Sequence, residues 1–154
     1  MTNSSMDKQA PMSDIQSLYY VFWEYFNAQT AKDALFAKEF DVKSESTIRG
    51  YQDFWIACNG FHVVVKLNYK KQRIYAGIYF DNTKEYHYFY QKKEEIEQWL
   101  KGSLEWDLQQ TKGSALYTVE CKELENPNNW PKMSQWMMHY AIKIKSIFLA
   151  VIEP

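Results

Sequence analysis

Residues 53–80 read DFWIACNGFHVVVKLNYKKQRIYAGIYF. Two apolar-rich runs flank Asn59-Gly60, the dipeptide best suited to a two-residue type I′ turn, because both turn positions need positive φ. A turn of that length sets a register. Cys58 faces Phe61, Ile56 faces Val63 and Phe54 faces Val65, while Trp55 meets Val64 and Asp53 meets Lys66 on the other side. One face is then wholly apolar, and the only charges oppose each other. The turn NYKKQ leads into a third strand, where Ile74, Ala76, Ile78 and Phe80 alternate with Arg73, Tyr75, Gly77 and Tyr79. Strands joined by tight turns run antiparallel. The stretch therefore predicts a meander with a core face and a second face carrying Trp55, His62, Lys66, Arg73, Tyr75 and Tyr79.

Upstream, Ser13 and Gln16 have the spacing of a capping box. Ile15, Leu18, Tyr19, Phe22, Trp23 and Phe26 follow at helical spacing, which predicts a helix from about Asp14 to about Ala28. AKDALFAKEF (31–40) reads as a second short helix or a continuation, and DVKSESTIRG (41–50) as a polar loop. Residues 1–12 read as a loose tail, and 13–154 as one domain.

Downstream, Asn82 and Glu85 form another capping pair. They open a helix over TKEYHYFYQKKEEIEQWLK, with Tyr86, Phe89, Ile96 and Leu100 on its buried side and Gly102 as its stop. LEWDLQQ and ALYTVECK read as two more strands joined by TKGS, with Leu104, Trp106 and Leu108 on one side and Glu105 and Asp107 on the other. After the breaker ENPNNWP, Asn129 caps a final helix with Pro131 in its first turn. Met133, Trp136, Met137, Tyr140, Ile144, Phe148 and Val151 form its stripe, which reads as core packing and, alternatively, as a partner-groove filler. The order helix, three strands, helix, two strands, helix predicts an α+β fold: an antiparallel sheet of about five strands with helices mainly on one face.

Composition bounds the function. The chain has 154 residues, enough to bury about 68–70% of its unfolded surface in one core. Its net charge is −1, so no global charge favours nucleic acid. Cys58 and Cys121 form no CxxC and read as reduced, buried thiols, which implies a cytoplasmic protein. No apolar run approaches the roughly 20 residues of a membrane span, and the polar N-terminus lacks the apolar run of a signal peptide.

Taken in order, LYYVFWEYFN (18–27), FWIACNGFHVVVKLNYKKQRIYAGIYF (54–80), QKKEEIEQWLKGSLEW (91–106) and NNWPKMSQWMMHYAIKIKSIF (128–148) resemble the domain-of-unknown-function 4268 family. The resemblance covers roughly residues 18–148. It implies a bacterial, cytoplasmic protein linked to DNA processing or defence. Members often follow a restriction-endonuclease-like nuclease part, which this sequence lacks. The resemblance carries over no catalytic residue.

Four candidate sites arise from the residues themselves. On the second sheet face, Trp55, Tyr75 and Tyr79 offer stacking surfaces, His62 sits among them, and Lys66 and Arg73, with Lys70 and Lys71 in the turn, offer phosphate contacts. The competing reading is a sheet covered by a helix or a second copy, and Glu105, Asp107 and Glu120 on the same face would repel phosphate. Asp107 followed by Glu120-Cys121-Lys122 echoes a Mg²⁺-dependent nuclease, a reading disfavoured by Trp106 in place of the usual Pro and by the lack of a third acid. His62, His87 and His139 are too scattered for a zinc site. The final helix stripe is the fourth. The expectation is a non-enzymatic accessory or interaction domain without metal or cofactor. Its partner classes are another protein, a second copy or nucleic acid, but not a membrane.

Overall fold

Ser13 closes the expected capping box: Gln16 N donates to Ser13 Oγ at 3.2 Å and Ser13 N donates to Gln16 Oε1 at 3.0 Å. The computed structural model describes residues 11–56 and 60–152. Most of the expected tail, Cys58 and the Asn59 turn position therefore lie outside the described residues. Helix α1 (Asp14–Lys32) runs beyond its expected end near Ala28 and is followed by the short helix α2 (Ala34–Glu39). Asp33 separates them. It ends α1, and its carboxylate accepts from Phe36 N at 2.9 Å to start α2.

Strands β1 (Tyr51–Phe54), β2 (Phe61–Asn68) and β3 (Arg73–Phe80) form the meander. Helices α3 (Thr83–Tyr90) and α4 (Lys93–Leu100) follow, then β4 (Glu105–Leu108), β5 (Gly113–Glu120), a 3-10 turn at Pro127–Asn129 and α5 (Trp130–Ala150). The class is α+β, as expected. Among the described residues, five antiparallel strands form one sheet in the order β1-β2-β3-β5-β4.

The register of the first hairpin corrects the expected one. Phe54 pairs with Val63, Asp53 with Val64 and Tyr51 with Lys66. The expected partners were Val65 for Phe54 and Lys66 for Asp53. Gly60, the described half of the expected turn, keeps a positive φ of 99°. The offset is even, so every side chain stays on its predicted face.

The region read as one helix after Asn82 is two. Lys92 N donates to Phe89 O at 2.9 Å, a three-residue turn that ends α3 and redirects the chain. Tyr86 and Phe89 of α3 and Ile96 and Leu100 of α4 all join the main core, with α3 packed against the strands and α4 against α5. The left-handed stop falls on Lys101 (φ 62°), one residue before the expected Gly102.

The core lies between one sheet face and the helices. Phe22, Trp23 and Phe26 of α1, with Met133, Met137, Ile144 and Phe148 of α5, cover Phe54, Val63, Val65, Ile74, Ile78 and Phe80. The final-helix stripe is therefore core. Its Trp136 and Tyr140 are half-buried, and both rings lie against Tyr117. None of the described helices is long and apolar enough to cross a membrane.

Candidate functional site

The register arranges the other face as a grid. One row runs Tyr51, Lys66, Tyr75, Thr118. The next runs Asp53, Val64, Gly77, Leu116, Glu105. A third runs His62, Tyr79, Ser114, Asp107, and Arg73 and Glu120 form a short fourth. Gly77 sits near the centre because no side chain fits there. A Cβ would strike the Ala115 carbonyl and approach Leu116 Cα to 2.8 Å. The floor is a small apolar cluster of Val64, Tyr75 and Leu116, edged by Tyr51 and Tyr79. Val64 is fully buried although only the side chains of its own face surround it.

All six residues expected on this face lie on it, but they divide: Trp55, His62 and Tyr79 gather at one end, and Lys66, Tyr75 and Arg73 lie toward the other. Trp55, just past β1, is 64% exposed and lies on His62, ring centres 4.2 Å apart. It does not pair with Val64. Tyr75 is only 5% exposed and offers no free ring face, because Lys66 Nζ stands 5.0 Å from its ring centre. Arg73 is held locally, its Nε donating to Thr118 Oγ1 at 3.1 Å. Tyr79 is half-buried. Its phenol is pushed up, first by burial and then by the charge of Asp53 and by Tyr51.

His62 is buried, 7% exposed. Its Nε2 lies 2.8 Å from Asp53 Oδ1, and its Nδ1 faces Asp81 Oδ1 at 3.5 Å. Beside it opens a cleft of about 410 Å³, lined by Tyr51, Asp53, His62, Tyr79, Asp81, Gln109, Lys112 and Ser114 among others. Sequence reading missed Tyr51, Asp81 and Ser114, because the loop before Tyr51, the turn at Asp81 and the TKGS turn all looked like connections. The period-2 alternation extended one strand turn outward would have found Tyr51. Only the strand order, which puts β5 beside β3, brings Ser114 in.

The nuclease echo separates in space. Asp107 pairs with Ser114, whereas Glu120 pairs with Arg73 at the far end of β5. That places the two carboxylates about 20 Å apart along the strand, too far to share one Mg²⁺. Among the described residues, no three His, Cys, Asp or Glu side chains converge as metal ligands. His62 and Ser114 stand two strands apart, about 9–10 Å, beyond a nucleophile–base hydrogen bond. Burial pushes the Cys121 thiol up against the opposing pull of Lys132. That is the reverse of an activated thiol.

Among the described residues, fold and face together define an α+β domain whose sheet is packed by helices on one side and left open on the other. The chain belongs to the family described as Domain of unknown function (DUF4268), whose model it matches over residues 18–152. No curated protein and no solved structure matches it.

Proposed function

We propose that this chain is a non-catalytic interaction domain that engages a partner through the open face of its sheet. One observation carries the reading. The helices cover one face, and the other presents Trp55, 64% exposed, lying on His62, which in turn lines a cleft with aromatic walls and a few convergent polar groups. Large exposed aromatics beside such clefts are typical of binding surfaces. The test is partner capture on the immobilised domain. Trp55→Ala and Tyr79→Ala should abolish capture, whereas Leu35→Ala, on the helical side, should not. Equal capture by all three variants defeats the reading.

A second reading has its own support. Lys66 and Arg73 lie together at one end of the face, beside Tyr75, a mixture of basic and aromatic side chains that single-strand binders use. Asp53, Glu105, Asp107 and Glu120 share the face and oppose it. Titration with labelled single- and double-stranded nucleic acid at about 50 and about 200 mM salt separates the readings, because phosphate binding weakens steeply with salt. The bacterial, cytoplasmic setting and the link to DNA processing or defence belong to this proposal too. They rest on the family resemblance.

A further inference from the structure

The cleft beside His62 contains an unmet demand for a donor. The His62 side chain is 9% exposed, and its Nε2 sits 2.8 Å from Asp53 Oδ1. A carboxylate accepts, so Nε2 carries a hydrogen, and wherever the ring carries only that one, Nδ1 is an acceptor. Nδ1 is buried without a hydrogen-bond partner. It faces another acceptor, Asp81 Oδ1, at 3.5 Å. Asp81 is the residue just past β3, and its side chain is 47% exposed. A swing of that carboxylate opens Nδ1 to the cleft without disturbing the sheet.

The surroundings narrow the donor. Tyr51 and Tyr79 form the walls, ring centres 6.4 Å apart and steeply inclined. Asp53 and Asp81 line the cleft against one lining cation, Lys112, and Asp107 stands beside Ser114 on the same face. A neutral donor would leave this negative field unanswered. An ammonium answers it but is a compact, strongly hydrated charge. A guanidinium is planar, forked, weakly hydrated and stacks on phenol rings. It can give one N–H to Asp81 and another to Nδ1.

We propose that the cleft anchors an arginine side chain of a partner protein, with its guanidinium on Asp81 and His62 Nδ1 and its plane against Tyr79. This rests on the open-face reading above and names the partner's anchoring chemistry.

The test titrates the isotope-labelled full chain with N-acetyl-arginine amide, N-acetyl-lysine amide and N-acetyl-citrulline amide, the uncharged isostere of arginine. The readout is the amide resonances of Asp53, His62, Tyr79, Asp81 and Ser114. Arginine should shift them saturably, on the order of millimolar for a single side chain. Asp81→Asn should weaken binding about tenfold, the loss expected for one charge-assisted hydrogen bond. Because Asp81 is half-exposed, that variant should melt as the parent does. Equal binding of citrulline, tighter binding of lysine, or an unchanged Asp81→Asn overturns the proposal. So does a free protein at neutral pH whose His62 carries hydrogen on both ring nitrogens, because the site is then satisfied without a ligand. If arginine fails while partner capture still depends on Trp55 and Tyr79, only the anchor falls. If capture ignores those residues as well, the open-face reading has failed.

Discussion

Asn27 and Gln52 hold each other by a reciprocal amide pair. Asn27 Nδ2 donates to Gln52 Oε1 at 3.0 Å, and Gln52 Nε2 donates to Asn27 Oδ1 at 2.9 Å. Both residues are buried, and the pair ties α1 to the edge strand β1. Removing one partner strands the other. Asn27→Leu or Gln52→Leu should each cost about 1–3 kcal/mol. The double substitution should cost less than the sum, because no orphaned amide remains. Urea denaturation of the four proteins gives the coupling. Strict additivity would show that the pair contributes nothing as a pair.

Trp23 and Trp55 lie on opposite sides of the sheet. Trp23 is fully buried, and its Nε1 donates to Arg49 O at 2.7 Å, pinning the loop before β1. Trp23→Ala should cost about 3–5 kcal/mol. Trp55→Ala, on the open face, should change stability by no more than about 0.5 kcal/mol. A large loss of stability in Trp55→Ala would mean that this ring is part of the fold and not of a surface.

Gly77 marks a position on β3 where a side chain would collide with the backbone of β5. Gly77→Ala should destabilise by about 1–3 kcal/mol through forced separation of β3 and β5. Hydrogen exchange should rise along β5 before it rises in α5. A variant as stable as the parent would show that the two strands yield freely there.

Alkaline pH should unfold the domain. Burial pushes the phenols of Tyr19, Tyr69, Tyr79, Tyr86 and Tyr117 above the ordinary tyrosine value. In the unfolded chain they ionise near about 10. The native state holds its protons longer, so the unfolded state binds fewer of them above that pH and stability falls as pH rises. Below about pH 9 these groups add no slope. Melting curves across the range, read alongside phenolate absorbance, test this. A flat midpoint through alkaline pH would contradict the burial of these rings.

The purified chain should show no Mg²⁺-dependent nucleic-acid cleavage that responds to Asp107→Ala or Glu120→Ala, because the two carboxylates sit at opposite ends of β5. Cleavage lost in both variants would require them to meet in some other arrangement of β4 and β5.

Much of this fold was legible because its signals are local. Capping at Ser13 and Asn82, alternation in β2 and β3 and the stripe of α5 depend on neighbours within a few residues. The break at Gln91-Lys92 was not legible. Both halves carry the same helical pattern, and only the different surfaces under Phe89 and Ile96 force the turn. The first register erred for a similar reason: Asn59-Gly60 permits a two-residue turn but does not compel one. On the open face, period 2 placed Trp55, His62, Lys66, Arg73, Tyr75 and Tyr79 correctly. Their partners came from elsewhere. Asp81 and Ser114 reach His62 and Tyr79 only through the turn after β3 and the insertion of β5 between β3 and β4, neither of which leaves a local mark.

Val64, Tyr75 and Leu116 seal their own side of the sheet with no helix of the described residues above them. This domain can therefore exchange the side chains around that seal, at Tyr51, Trp55, His62, Tyr79 and Ser114, while its hydrophobic interior stays as it is. The frame separates what must persist through evolution from what is free to drift. Substitutions around the three sealing residues should therefore change the surface more than the fold.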